Sequence, residues 1–343
     1  MSSSKWSGRR PTLEAVAKLA GVGRGTVSRV VNGSPGVSAK ARAAVEAAIA
    51  ELNYVPNPAA RSLVTSRTDS IALVIPESES RLAAEPYFSA VIRGVSTELA
   101  DTEMQLLLIL VRNQRELDRL TRFVEAQRVD GVLLVSVHQD DPLPAFLEKT
   151  RIPTVLAGRR SPDEPLSHVH ADNIGGAAQA VRHLLGQGRR AVATITGPLD
   201  MDVGRSRLQG WRDAHLEEGG RRADESLVVS GDFTEEGGRA AMRELLERRP
   251  DLDAVFAASD VMAAGALTEL RERGRRVPSD VAVIGFDDSI VARHTVPPLS
   301  SVNQPSEDIG RAITRLLLDE INDPSRPRRR LTLPTTLVHR LTA

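Results

Sequence analysis

From residue 69 onward, short apolar runs alternate with segments of helical period, and this restricts the chain more than any other feature. The runs are Ile71 to Ile75, Leu106 to Val111, Gly131 to Val137 and Thr154 to Leu156, then Ala191 to Ile195, Leu227 to Val229, Ala254 to Ala257 and Val281 to Gly285. Between them lie helical patterns such as Phe88 to Ala100, Gly175 to Leu185 and Met262 to Arg273. Strands that are apolar throughout, not at every second residue, are buried on both faces, with the intervening helices as cover. The expected fold class is therefore α/β, with two parallel-sheet lobes. Ligands of such sheets gather at the carboxyl ends of the strands, which here carry Pro76, Glu77, Gly158, Ser259, Asp260, Asp287 and Asp288. Two lobes meeting across such ends form a cleft, a common small-molecule site.

The N-terminal part follows a different pattern. Residues 12–20 predict a short helix with Thr12 as N-cap, with Leu13, Val16, Ala17 and Ala20 on one face and Gly21 as terminator. A second helix, about Arg24 to Asn32, has Val27, Val30 and Val31 as its apolar positions, and Gly33 breaks it. A third runs from the cap Ser38 to Leu52, with Ala41, Val45, Ala48, Ile49 and Leu52 inward. Two short helices joined by a tight glycine turn make a helix-turn-helix, whose second helix enters the DNA major groove. Arg24 can make a bidentate contact to guanine, Arg29 can reach a second base, and Thr26, Ser28 and Asn32 can donate to phosphates. A three-helix bundle with merely solvated polar faces is the alternative on pattern alone.

Charge supports the division. The whole chain is formally neutral, with 45 basic and 45 acidic residues. Residues 1–67 carry ten Lys or Arg against three Asp or Glu, leaving the remainder acidic by the same margin. A basic head on an acidic body suggests that the head alone meets a polyanion, although a solvated charged face gives the same counts. With no cysteine among 343 residues, there is no disulfide scaffold, thiolate nucleophile or Cys-rich zinc site. The polar, basic stretch from Met1 to Arg10 does not read as a signal peptide, and no run approaches the length needed to span a membrane, so a cytoplasmic protein is expected. No Gly-x-Ser-x-Gly elbow, phosphate loop or His-Glu-x-x-His is present, and His168 and His170 on one strand lack a third ligand. No catalytic residue, metal site or cofactor is expected.

Residues 12–63 closely resemble the head of the lac-repressor/galactose-repressor (LacI/GalR) family of bacterial transcription regulators, above all in "AGVGRGTVSRVVNG", "ELNYVPN" and "ARSL". The body resembles the family's effector core, itself like a periplasmic sugar-binding protein, in "TGPLDMDVGRSRLQGW", "AVFAASDVMAAGAL", "VAVIGFDDSIVARHTVPPLSSVNQP" and "LPTTLVHR". The resemblance covers nearly the whole chain. It implies that Arg24, Gly25 and Arg29 stand at base-reading positions. Thr12, Thr26, Ser28, Asn32, Ser38, Tyr54 and Asn57 would anchor phosphates. It implies a hinge helix after Pro56 that includes Arg61 and places Leu63 as a minor-groove wedge. In the core it implies Arg205 as the effector clamp, Asp287 as an acceptor of ligand hydroxyls and Phe233 as a stacking ring. Gln304 would lie in a crossover near the cleft, and Tyr87 and Phe88 would wall its mouth. Ser259 and Gly158 replace the usual Asn and Asp, Gly23 replaces the usual Ser, and the segment Glu77 to Pro86 reads as a longer, more acidic loop.

The expected layout is a tail (1–10), a helix-turn-helix domain (11–56), a hinge helix or linker (57–66) and a two-lobed periplasmic-binding-protein-like core (67–343). Within the core, the N-lobe comprises about 67–169 and 301–331, and the C-lobe about 170–300 and 332–343. The expected function is a regulator, as a repressor on a near-palindromic double-stranded DNA operator, working as a homodimer with a sugar-like effector and without membrane association. The absence of a heptad tail argues against a coiled-coil tetramer. A solute-binding protein or sugar-handling enzyme is the rival reading, opposed by the leaderless N-terminus and by the lack of a nucleophile or paired acids.

Overall fold

The computed structural model describes residues 11–31, 33, 35–55, 67–219 and 223–343. It divides into residues 1–68 and residues 69–343.

The first unit holds α1 (Leu13–Ala20), α2 (Arg24–Val31) and α3 (Ala39–Leu52). The Thr12 hydroxyl accepts from the Ala15 amide at 3.3 Å, and Gly21 ends α1 in the left-handed region at φ 65°. Ser38 caps α3 in the same way, through the Ala41 amide. Val16, Val27 and Val45 have no exposed surface, and Ala17, Val30, Ala48 and Tyr54 complete the core around them.

In the second unit, six strands form the N-lobe sheet: β1 (Ser70–Ile75), β2 (Gln105–Leu110), β3 (Gly131–Val135), β4 (Thr154–Ala157), β5 (Ser167–Ala171) and β11 (Arg330–Leu333). Their order is β11-β5-β4-β3-β1-β2, and every pairing is parallel. The C-lobe sheet holds β6 (Val192–Thr196), β7 (Val228–Ser230), β8 (Ala254–Ala257), β9 (Ala282–Asp287), β10 (Ser300–Asn303) and β12 (Thr336–Val338). Its order is β12-β10-β9-β8-β6-β7, antiparallel only between β10 and β12.

Helices cover both faces of the N-lobe sheet. Ile71, Leu73 and Ile75 pack towards α5 (Pro86–Leu99) and α13 (Ser306–Asn322). Ala72 and Val74 pack towards α6 (Gln114–Glu125) and α7 (Pro142–Thr150). Gly94 and Gly310 let α5 and α13 cross closely, because a Cβ on either would overlap the backbone of the other helix. The C-lobe is covered by α8 (Asn173–Gly186), α9 (Asp202–Gly219), α10 (Glu235–Arg248), α11 (Asp260–Glu272) and the short α12 (Ile290–His294) around one core centred on Trp211, Phe256 and Phe286. The edge strands are less buried than the central ones, and in β2 Leu107 and Leu108 are 37% and 47% exposed.

The chain passes between the sheets three times, at residues 171–173, 303–306 and 333–336. Because β10 pairs with β9, the second passage follows Asn303 and does not fall at 301. The segment expected to be a loop after β1 contains a helix, α4 (Glu79–Ala84), because Ser78 caps it through the Arg81 amide.

Candidate functional site

A cavity of about 690 Å³, counting its open mouth, lies between the two sheets of the second unit. Its walls are the segments that follow the carboxyl ends of strands from both sheets, where α/β folds collect ligands. Ser136, Gly158, Phe233 and Asp287 all line it, and all have positive φ (64°, 106°, 66° and 108°). Only glycine adopts that region without strain, so three side chains are held there by their surroundings.

Arg207 of α9 forms the floor. It is fully buried, and its guanidinium lies 3.6 Å from the centre of the Phe286 ring. Nε donates to Asn173 Oδ1 at 2.9 Å, Nη1 to the Ala258 carbonyl, and Nη2 to Gln304 Oε1 at 2.7 Å. Asn173 and Gln304 stand at the first and second passages between the lobes. One cation therefore grips the end of β8 and two of the three connections. Asp287 Oδ1 lies 3.6 Å from Nη1. Burial raises the Asp287 carboxyl well above its ordinary range, and Arg207 opposes that rise. Burial also raises the Tyr87 phenol.

A second set of contacts joins the lobes at the rim. Arg205 donates to Gln139 Oε1, to the Leu199 carbonyl and, across the cleft, to the Arg160 carbonyl at 2.7 Å. Arg159 pairs with Asp202 at 2.9 Å. His138, following β3, contacts Asp200 of the C-lobe at 2.6 Å and Glu77 at 3.2 Å. The bond to Glu77, opposed by partial burial and helped by Asp200, pushes His138 up to about 9. Burial would raise Glu77, but His138, Arg81 and Ser136 together hold it below its usual value.

Tyr87, Phe88, Phe233, Asp287 and Gln304 of the expected effector set come together in the cavity lining. Arg205 does not line it: the residue with the buried fork is Arg207, two positions on. Helical phase explains the difference. Trp211, fully buried and bonded to the Val192 carbonyl, lies one turn beyond Arg207 and so shares its inward face, whereas Arg205 points to the rim. Ser259 also lies outside the lining, because its buried hydroxyl accepts from the Met262 amide and caps α11. Asn173, Ser136, Glu85 and Arg81 line the cavity but had no motif to mark them.

In the first unit, Arg24, Gly25 and Arg29 are exposed along one face of α2, opposite the buried Val27 and Val30. Thr26 and Ser28 flank them, half-buried. Arg24 pairs with Glu14 of α1 at 3.2 Å, with both side chains mostly in solvent. Thr12 and Ser38 act as helix caps, and Tyr54 packs in the core. Asn32, Asn57, Arg61 and Leu63, and with them the expected hinge helix, lie outside the described residues. Among the described residues, no helix is long and apolar enough to cross a membrane.

Comparison with known proteins agrees with both units. Residues 12–57 match the bacterial regulatory proteins of the lacI family, and residues 181–343 match a periplasmic binding protein-like domain. The transcriptional regulator CelR of Thermobifida fusca is 54% identical over 97% of this chain and 98% of its own. The ribose operon repressor of Escherichia coli K12 is 35% identical over 96% and 98%. Among solved structures, a CelR–cellobiose complex superposes with a TM-score of 0.78 at 51% identity, covering 97% of this chain and 100% of that one. A lac repressor dimer bound to operator and an anti-inducer gives 0.84 at 28% identity, covering 97% and 99%. The chain belongs to the LacI family of bacterial transcription regulators.

Proposed function

We propose that this regulator acts as a repressor that binds a near-palindromic operator as a homodimer in the cytoplasm, and that a sugar in the interlobe cavity controls it. Arg24, Gly25 and Arg29 of α2 meet base edges, and Thr12, Thr26, Ser28, Asn32, Ser38, Tyr54 and Asn57 meet the backbone. Arg61 and Leu63 lie in the connector that enters the minor groove. An exposed apolar edge such as β2 is usually covered by a partner, and a second copy seated there would pair two heads on two half-sites.

The observation that carries the effector reading is the buried Arg207 fork, which faces Asp287 while holding two of the connections between the lobes. A ligand that accepts from Arg207, donates a hydroxyl to Asp287 and stacks on Phe233 changes what those connections hold. Tyr87, Phe88 and Gln304 complete its enclosure. The role expected of Arg205 passes to Arg207, while Arg205 holds the rim. The ligand controls DNA binding only if it binds the DNA-competent and DNA-incompetent states with different affinity. CelR, which shares this layout, has been captured with cellobiose. The chemistry required is binding and hinge motion, with no group transfer.

The test pairs two measurements on the full chain. Inverted-repeat operator DNA is titrated with and without cellobiose, and the experiment is repeated on a chain lacking residues 1–64. The expected result is operator binding that cellobiose alters, and sugar binding without DNA binding after truncation. DNA binding by the truncated chain would refute the assignment of the head.

A further inference from the structure

The cavity holds a carboxylate that no motif marked. Glu85 occupies the N-cap position of α5, yet its side chain makes no capping bond. It turns instead into the cavity lining, where it is only 11% exposed. One oxygen accepts from Arg81 Nε at 3.2 Å. Arg81 is fixed in turn: its Nη1 donates to Glu77 Oε1 at 2.7 Å, and its guanidinium lies 5.4 Å from the centre of the Phe233 ring in the other lobe. Helix α4 thus positions Glu85 rigidly. Burial raises the Glu85 carboxyl above its ordinary value, and the charge and hydrogen bond of Arg81 oppose that rise and favour the ionised form.

The charges of the lining are already matched. Arg81 pairs with Glu77 and Glu85, Arg159 with Asp202, and Arg207 with Asp287. A phosphate or carboxylate on the ligand would have to displace one of these partners, or lie against the largely buried Glu85 or Asp287. Like charges brought together in such a place are strongly unfavourable. A sugar hydroxyl, by contrast, can donate to either carboxylate, and such charge-assisted bonds are the stronger kind.

We propose that Glu85 is a specificity-determining residue of the effector site, accepting a hydrogen bond from a ligand hydroxyl and selecting uncharged sugars over their phosphorylated or carboxylated counterparts. This rests on the reading of the cavity as the effector site. Glu85→Gln keeps the shape and removes the charge, and Glu85→Asp keeps the charge and withdraws it from the cavity.

The experiment measures calorimetric binding of cellobiose and of a cellobiose phosphate monoester to wild type and both variants, with thermal melts to establish folding. Wild type is expected to bind cellobiose and to bind the phosphate ester at least a hundredfold more weakly. A lost charged hydrogen bond is worth roughly ten- to a hundredfold in affinity, so both variants should weaken cellobiose by about that much. Glu85→Gln alone should also narrow the discrimination at least tenfold. Folded variants with wild-type cellobiose affinity and unchanged discrimination would overturn the role of Glu85 and leave the effector site standing. Wild type that binds neither sugar would overturn the effector reading, and the role of Glu85 with it.

Discussion

Arg207 and Gln304 are joined at 2.7 Å although one is rooted in a C-lobe helix and the other lies where the chain leaves that lobe for its neighbour. A ligand that draws on the same guanidinium is therefore felt at the connection itself. Arg207→Ala should weaken sugar binding at least a hundredfold and leave the operator complex indifferent to sugar. It should also cost about 3–5 kcal/mol of stability, because Asp287 is left buried without its cation. Arg205→Ala is the contrast: its contacts lie at the rim, and sugar affinity should fall less than tenfold. Calorimetry on both variants decides, and an Arg207→Ala protein that still responds to sugar would place the clamp elsewhere.

Arg24 should read a base and not a phosphate. Its pair with Glu14 is exposed and screened by solvent, so DNA can replace it at little cost. Arg24→Ala is expected to lose about 1–3 kcal/mol on the cognate operator and to relax choice at one base pair in each half-site. Fluorescence anisotropy on operators substituted one pair at a time tests this. Equal weakening on random DNA would make Arg24 a backbone contact.

The rim contact between His138, Glu77 and Asp200 should depend on pH at both ends. His138 is pushed up to about 9 from an ordinary 6.5, so its contribution is complete below pH 6.5 and is lost as pH rises through 9. Glu77 is held low, so its contribution is present above its ordinary 4.5 and fades as pH falls through the lowered value. Melting temperature should therefore fall between about pH 8 and 10 more steeply in wild type than in His138→Gln. Parallel curves would show that the contact does not contribute.

Trp211 anchors α9, and through it Arg207, by a full-length bond from its ring nitrogen to the Val192 carbonyl at 3.0 Å. Trp211→Ala should cost about 3–5 kcal/mol, and Trp211→Phe, which keeps most of the ring and loses the bond, about 1–2 kcal/mol. Urea titrations provide the values.

Much of this was written in periodicity. The spacing of Val27 and Val30 identified the buried face of α2 and so its open face, and the unbroken apolar runs identified most of the central strands. Less legible were elements whose order comes from distant partners. Ser300–Asn303 is too polar to read as a strand, yet Ser301 is buried there because its hydroxyl donates to Asp260, and the Ser300 amide donates to the Thr342 hydroxyl. The edge strands β11 and β12 are only four and three residues long and partly exposed, so their few apolar residues give little periodic pattern. The sequence motif alone does not separate Arg205 from Arg207; their helical phase relative to the buried Trp211, which turns Arg207 and not Arg205 inward, does. Glu85 was hidden because only the fold of α4 shows that a carboxylate beside a proline turns inward.

The three passages between the sheets also bear on how the protein is made. The lobe whose strands are synthesised first cannot be finished until nearly all of the chain has emerged, because its cover α13 and its edge β11 arrive at residues 306–333. Until then Ser167 lacks both Glu320 and the Arg329 amide, and β5 is an open edge. A nascent chain halted before residue 306 would carry an incomplete domain, so the ribosome must release almost the whole polypeptide before either half of the sensor can become native.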